Sequence, residues 1–184
     1  MKWPDDDAVF ARCYLASREK YLEHAGDRHM SKIEQIVEDC QSPIEAQLAC
    51  HLARLELYGR DVHILGKRCP GQPFRDQFIA DGLLCLEMQA QVGKYRADFL
   101  IHMVDIEDAP QKIVIECDGH DYHERTKEQA AHDRARDREM TAAGYHVFRF
   151  TGSEIHKNAG KCFDEITSLM SDLYMGGPKK AANG

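Results

Sequence analysis

The order of apolar and polar residues predicts two helices in the first part of the chain. Residues 5–24 carry apolar side chains at helical spacing, namely Val9, Cys13, Leu15 or Ala16, Tyr21 and Leu22. A second helix is marked at its start, because Ser42, Pro43 and Glu45 supply an N-cap, a proline at the first helical position and the glutamate of a capping box. Gly59 is expected to end it, after an apolar stripe of Ile44, Leu48, Leu52 and Leu55.

Alternation with a period of two predicts the strands that follow. Residues 60–76 form a connecting loop with a short strand at Val62–Leu65, and apolar side chains then alternate through Leu84–Val92. A turn at residues 93–94 leads into Tyr95–Val104, whose expected single apolar face consists of Tyr95, Ala97, Phe99, Ile101 and Met103. After a polar loop at residues 105–111, Lys112–Asp118 contains a run that is apolar on both faces, as in a central strand.

The rest of the chain predicts a crossover connection. A helix from about Glu124 to Ala143, ended by Gly144, precedes a strand at Tyr145–Phe150, which should lie parallel to the third long strand. A last helix is predicted at Ala159–Tyr174. The fold class is α/β: a mixed four-stranded sheet with a three-strand antiparallel meander and a crossover helix, flanked by helices. We expect a helical extension at residues 1–41, a main domain at 42–174 and a disordered tail at 175–184.

Three carboxylates are expected to meet where the second and third long strands pair. A loop centred on residue 108 places Asp98 opposite Asp118, and a shift of two residues places it opposite Glu116, which shares a face with Asp118. Such close carboxylates repel unless a cation lies between them. With a backbone carbonyl they suit Mg²⁺ or Mn²⁺, which can activate water beside a phosphoryl group. The alternative is solvated carboxylates paired with cations such as Arg96 and Lys112.

Composition changes this picture in two respects. The formal net charge is −7, so binding to nucleic acid would depend on a local basic groove, a metal or a partner. The seven cysteines are scattered and form no CxxC pair, which is typical of reduced thiols in a cytoplasmic protein. No segment has the length and apolar content of a membrane span, and the acidic N-terminus lacks the pattern of a secretory signal.

An ordered set of motifs resembles a known superfamily. The chain carries GKYRADF at residues 93–99 and IECDG at residues 115–119, which look like the core of the PD-(D/E)XK, or restriction-endonuclease-like, proteins. The continuation, HDYH at 120–123, Asp133 with RDR at 136–138 and GYHVFRF at 144–150, resembles the small bacterial domains related to very-short-patch-repair endonucleases. The resemblance covers roughly residues 42–170 and implies the superfamily fold and a nuclease ancestry.

The resemblance also implies roles for individual residues. Asp98 and Glu116 would be metal ligands, with the carbonyl of Cys117 as a third. The superfamily usually has lysine two positions after the glutamate, where this chain has Asp118. In place of that lysine, His123 would act as the base or Lys127 would supply the positive charge. A Zn²⁺ pair of His120 and His123 is an alternative that no thiolate spacing supports.

Four more residues are candidates around these carboxylates. The resemblance implies that Glu45 joins the metal site, whereas its place in a capping box explains it equally well. Arg136 is expected either to point toward the scissile phosphate or to form an ion pair on a solvated helix face. Gln89 and Arg96 flank the carboxylates, where they could contact phosphate.

The sequence thus predicts a Mg²⁺- or Mn²⁺-dependent endonuclease that hydrolyses phosphodiester bonds of DNA, in repair or restriction. The alternative is a degenerate nuclease fold that serves as a DNA-binding or protein-interaction domain, which Asp118 and the acidic charge favour. A third possibility is a metal-dependent hydrolase of small phosphoesters. A buried pocket would favour this function, and an open groove would not.

Overall fold

One mixed sheet forms the centre of the computed structural model, which describes residues 36–58, 62–65, 84–119 and 127–176. Its strands lie in the order β1-β2-β3-β4-β5, with the bounds Val62–Leu65, Leu84–Val92, Tyr95–Val104, Pro110–Asp118 and His146–Thr151. Strands β2, β3 and β4 form an antiparallel meander, and β5 pairs in parallel with β4. The predicted mixed four-stranded sheet is confirmed, and β1 adds a short strand parallel to β2 at one edge.

Three helices complete the described fold. Helix α1 spans Pro43–Leu52 and continues into a 3-10 helix at Ala53–Tyr58, so the apolar stripe that ends at Leu55 lies on both. Helix α2, Lys127–Ala142, is the predicted crossover between β4 and β5, and Gly144 follows it with a φ of +87°. Helix α3 spans Gly152–Tyr174. The predicted helix at residues 5–24 lies outside the described residues, and so does Gly59, which was expected to end the second helix.

Helix α3 begins earlier than the sequence pattern predicts. Thr151 caps it, and the Thr151 hydroxyl and the Glu154 carboxylate form a complete capping box. A break follows at Asn158, where φ is −164° and ψ is 79°. The Asn158 side chain accepts a hydrogen bond from the backbone nitrogen of Lys161 at 3.0 Å. Asn158 therefore caps a second helical segment, which starts at the predicted Ala159.

Two apolar clusters lie on opposite faces of the sheet. The larger one packs α1 and α3 against the face that carries Phe99, Ile101, Ile113 and Ile115. The smaller one packs Met140 of α2 against the other face, with Ala90, Val92, Ala97, Leu100 and Val114. Both faces of the central strands are thus covered, which explains the unbroken apolar run in β4.

Strands β2 and β3 change face in the middle, so the single apolar face expected for Tyr95–Val104 is wrong. Leu86 and Met88 belong to the larger cluster, whereas Ala90 and Val92 belong to the smaller one. Met88 pairs with Phe99 and Ala90 with Ala97, which leaves Gln89 and Asp98 across from each other at the change. Gln89 has a φ of +50°, a left-handed conformation that turns the strand.

The turn between β3 and β4 fixes the register of the carboxylates. Val104 pairs with Pro110, so the turn is centred on Glu107 rather than on residue 108, and β4 starts two residues before the predicted Lys112. Proline is tolerated there because it is the first residue of the strand. The buried Asp105 closes the turn, accepting hydrogen bonds from the backbone nitrogens of Glu107 and Ala109, each at 2.9 Å.

The core extends into the segment before α1. Residues 36–39 are helical, and Ile36 and Cys40 are fully buried in the larger cluster, although both belong to the predicted N-terminal extension. Among the described cysteines, Cys40, Cys50, Cys85 and Cys162 are buried free thiols and Cys117 is a half-buried one. Within the described ranges, no helix combines the length and the apolar character needed to span a membrane.

Candidate metal-binding site at the strand fork

Strands β3 and β4 separate beside Asp98. Their pairing ends with Phe99 opposite Ile115, while β4 continues to pair with β5 as far as Asp118. The same register, continued by one residue, places Asp98 opposite Glu116. Instead of a backbone ladder, Oδ2 of Asp98 accepts a hydrogen bond from the backbone nitrogen of Cys117 at 2.7 Å. We call this place, residues 96–98 of β3 and 116–118 of β4, the strand fork.

Glu116 points from the strand fork toward helix α2. Its carboxylate accepts a hydrogen bond from Nη2 of Arg136, which also donates to the carbonyl of Arg96 at 2.6 Å. The side chains of Arg136 and Glu116 are only 17% and 8% exposed. The Arg136 guanidinium also lies 5.2 Å from the centroid of the Tyr95 ring. Helix α2 therefore packs beside Glu116.

Both carboxylates at the strand fork lie where a negative charge is costly. Burial raises the pKa of Glu116 to about 7, an effect that Arg136 reduces and that the neighbouring charge of Asp98 increases. Burial also raises the pKa of Asp98, against the opposing effect of the Cys117 hydrogen bond. A counter-charge near these two acids would therefore favour their ionised forms.

Asp118 is joined to an arginine that the sequence interpretation left without a role. Nη1 of Arg149 lies 4.0 Å from Oδ2 of Asp118, and its Nη2 donates to Oδ1 of Asp137 at 2.7 Å. Glu116 pairs directly with Arg149 in the parallel register of β4 and β5. The signal for Arg149 was present in the GYHVFRF motif, since alternation from Val147 places it on the face that carries Glu116.

Glu45 connects the start of α1 to the sheet. Ser42 accepts a hydrogen bond from the backbone nitrogen of Glu45, but the Glu45 carboxylate accepts from the backbone nitrogen of Gln41 rather than from that of Ser42. In the expected capping box, the Ser42 half therefore forms, and the Glu45 carboxylate binds one residue earlier than predicted, at Gln41 instead of Ser42. Oε2 of Glu45 also accepts from Nε2 of Gln89 at 2.8 Å. Burial raises the pKa of Glu45, and the charge of Asp98 adds to this.

Gln89 lies across from Asp98, and Arg96 is part of the strand fork. Oε1 of Gln89 is buried and has no hydrogen-bond partner in the described part of the chain. The exposed Arg96 donates from Nη2 to Oε1 of Gln41 at 2.7 Å. Gln41, which holds both Glu45 and Arg96, was not singled out from the sequence, and its position before a helix cap carries no signal for such a role.

Three of the candidates cannot be placed at the fork. His123 lies outside the described residues, as does His120, and so does the side chain of Lys127, the first residue of α2. Cys117 lies between Glu116 and Asp118 in β4, and its backbone nitrogen donates a hydrogen bond to the carboxylate of Asp98. Asp98, Glu116 and Cys117 are thus the predicted ligands that the structure does bring together.

The donor set at the strand fork fits a hard divalent cation. Two carboxylates whose pKa values burial raises gain from a neighbouring dication, and the orphaned amide oxygen of Gln89 is of the same ligand type. Over residues 36–58, 62–65, 84–119 and 127–176, no three His, Cys, Asp or Glu side chains form a metal-binding group. Within these residues, Asp98 and Glu116 could therefore offer a metal ion two side-chain carboxylates, and backbone carbonyl or water oxygens would have to complete the coordination.

Comparison with known proteins gives one family. The chain has no match among the curated proteins or the solved structures that were compared with it. A family model, REase_MTES_1575, which describes a restriction-endonuclease-like family, matches residues 76–170. The match covers just over half of the chain and includes the whole strand fork, helix α2 and β5. The chain therefore belongs to the REase_MTES_1575 family of restriction-endonuclease-like proteins.

Proposed function

We propose that this protein is a divalent-metal-dependent endonuclease that hydrolyses phosphodiester bonds of DNA, in repair or restriction. The observation that carries the proposal is the strand fork, where Asp98 and Glu116 lie on adjacent strands with raised pKa values. Membership of a restriction-endonuclease-like family supports the nuclease class. The free thiols of the described cysteines are compatible with a cytoplasmic site of action.

Asp98, Glu116 and the carbonyl of Cys117 would hold Mg²⁺ or Mn²⁺. When bound, that ion would lower the pKa of water and stabilise the charge that develops on the phosphate. Glu45 would support the ligands through Gln89 and through its proximity to Asp98. Asp118 occupies the usual lysine position, and its charge is balanced by Arg149. His123 would take the proton from water, with Lys127 as the alternative source of positive charge.

Three side chains would bind the DNA backbone beside these ligands. Arg96 is exposed, and Gln89 and Arg136 lie on either side of the carboxylate pair. With a formal net charge of −7, the chain would bind duplex DNA through this local group and the metal rather than through a general basic surface. We therefore expect weak, strongly salt-dependent binding in the absence of a divalent ion.

A second candidate function is a nuclease fold that binds DNA or a protein partner without cutting. Two observations favour it: Asp118 replaces the usual lysine, and Glu116 already has a cationic partner in Arg136. The two functions differ in metal binding. A site that has lost catalysis should bind Mn²⁺ poorly, because a protein that does not cut DNA does not need a complete set of metal ligands.

Calorimetric titration with Mn²⁺ distinguishes these two functions. We expect the wild-type protein to bind one or two ions in the millimolar range or tighter, and Asp98→Asn and Glu116→Gln each to lose this binding. Glu154→Gln, an exposed carboxylate in the α3 cap, is the matched control and should bind as the wild type does. If the wild type and the double variant of Asp98 and Glu116 give identical titrations, the proposed metal site is wrong, and so is the proposed enzymatic function.

A further inference from the structure

Arg136 is placed unusually for an arginine of a surface helix. Its Nη2 atom contacts both Glu116 and the carbonyl of Arg96, and its side chain is largely buried against the Tyr95 ring. Glu116 is the carboxylate partner of Arg136 among the described residues. Arg136 is thus held at Glu116, which is a proposed metal ligand.

The contact does not have the geometry of a fully satisfied structural ion pair. Arginine binds a carboxylate best with two parallel hydrogen bonds, but Arg136 reaches Glu116 with Nη2 alone. Its Nε atom is buried and has no hydrogen-bond partner within the described ranges. A buried donor without an acceptor is costly. The guanidinium therefore retains donor capacity that an oxyanion beside Glu116 could use.

The neighbouring arginine serves as a comparison. Arg149 also faces the strand fork, but Asp137 binds its Nη2 and Asp118 lies within ion-pair distance of its Nη1. Two carboxylates outside the proposed ligand set therefore neutralise Arg149. Nε of Arg149 is also buried without a hydrogen-bond partner in the described residues, so Arg136 differs in that its carboxylate partner is itself a proposed ligand. A divalent ion at Glu116 would compete with Arg136 and leave Arg149 where it is.

We propose that Arg136 supplies the positive charge that position 118 lacks, neutralising Glu116 while no metal is bound and turning to the scissile phosphate when a divalent ion takes Glu116. This inference rests on the proposed metal site and goes beyond it. It assigns one side chain two alternative anionic partners, a carboxylate and a phosphate. It also implies that arginine and metal compete in the protein without DNA.

Metal affinity measured without DNA tests the competition directly. Calorimetry with Mn²⁺ should show roughly tenfold tighter binding to Arg136→Gln than to the wild type, since one close ion pair no longer has to be broken. Arg134→Gln, at an exposed arginine two residues away on α2, should leave the affinity unchanged. The same Arg136→Gln variant should cleave DNA more slowly despite binding the metal more tightly.

A second measurement uses the wild-type protein and does not depend on how well a variant folds. The guanidinium Nε–H signal of Arg136, assigned by comparison with Arg136→Lys, should shift on titration with Mg²⁺, and it should shift more than the signal of Arg149, whose carboxylate contacts are Asp137 and Asp118. If Mn²⁺ binds to the wild type but Arg136→Gln binds no tighter and the Arg136 signal does not move, the inference is wrong and the metal site stands. If Mn²⁺ binds to neither protein, the proposed function and this inference both fail.

Discussion

The carboxylate of Asp98 accepts a hydrogen bond from the backbone nitrogen of Cys117 at 2.7 Å, at the point where β3 and β4 separate. Asp98 therefore has two separable properties, a charge and an acceptor for a backbone donor. Asp98→Asn retains the acceptor and removes the charge. Burial raises the pKa of Asp98, so this charge is unfavourable in the folded protein. We expect its melting temperature without metal to equal or exceed that of the wild type.

Asp98→Ala removes the acceptor as well. It should be less stable than Asp98→Asn by about 1–2 kcal/mol, because the buried nitrogen of Cys117 loses its partner. Denaturant unfolding of both variants measures the difference. Equal stabilities would mean that the hydrogen bond does not organise the strand fork.

The stability of the metal-free protein should fall as the pH rises from about 4.5 to about 7. The folded-state pKa of Glu116, about 7, lies above its ordinary value of 4.5, so the folded state holds this proton more tightly than the unfolded state. The resulting stabilisation is complete below 4.5 and is lost as the pH passes 7. For Glu116 it amounts to at most about 3 kcal/mol, and the raised pKa values of Asp98 and Glu45 act in the same direction.

Unfolding in urea at a series of pH values measures this slope. Glu116→Gln should flatten it, and Mn²⁺ should reduce it in the wild type because the ion favours the ionised carboxylates. A stability that rises steadily from pH 4.5 to 7 in the metal-free wild type would contradict the burial of these charges.

Glu45 and Glu154 separate capping from support of the metal ligands. Both are glutamates at the third position of a helix with a capping hydroxyl, but only Glu45 is bonded to Gln89 and influenced by Asp98. Glu154→Gln should lose about 0.5–1 kcal/mol of stability, whereas Glu45→Gln should lose less, because burial raises the pKa of Glu45 and so disfavours its charge. Glu45→Gln alone should weaken Mn²⁺ binding or slow cleavage by about tenfold or more.

Thermal unfolding, calorimetry and a cleavage assay on the two variants make this comparison. If Glu45→Gln binds metal and cuts DNA as well as Glu154→Gln does, Glu45 acts only at the start of α1.

Asp118 can be tested as an occupant of the usual lysine position. Asp118→Asn should leave Mn²⁺ affinity unchanged, because this carboxylate lies beside Arg149 rather than among the proposed ligands. Asp118→Lys should keep or raise the cleavage rate and lower the melting temperature, since Arg149 loses a carboxylate and gains a like charge. Loss of Mn²⁺ binding in Asp118→Asn would instead make Asp118 a ligand.

The sequence predicts the strands well because alternation and turn residues act locally. Leu84–Val92 and Tyr95–Val104 have the predicted bounds, and a glycine with a φ of +57° lies in the turn between them. The change of face at Gln89 and Asp98 could not be read from the pattern. Apolar residues continue on alternate positions through it, and the sheet is covered on both faces, so both arrangements give the same sequence.

The meeting of Asp98 and Glu116 was predictable to within two residues. Pro110 was interpreted as part of the loop, and its place as the first residue of β4 decides the register. Other contacts at the fork depend on how helices pack on the sheet. The bonds of Arg136 to Glu116 and of Glu45 to Gln89 join residues far apart in the chain, and no spacing in the sequence encodes them.

The most direct test of the central claim is a cleavage assay of the wild-type protein and Asp98→Asn with Mn²⁺, on supercoiled, linear, mismatched and single-stranded DNA. The wild type should nick or cut at least one of these substrates, and chelation of the metal should stop it. Asp98→Asn should be folded and inactive on all of them. If the wild type cuts none of them with any divalent ion, or if Asp98→Asn cuts as fast as the wild type, the strand fork is not the catalytic site of a metal-dependent nuclease.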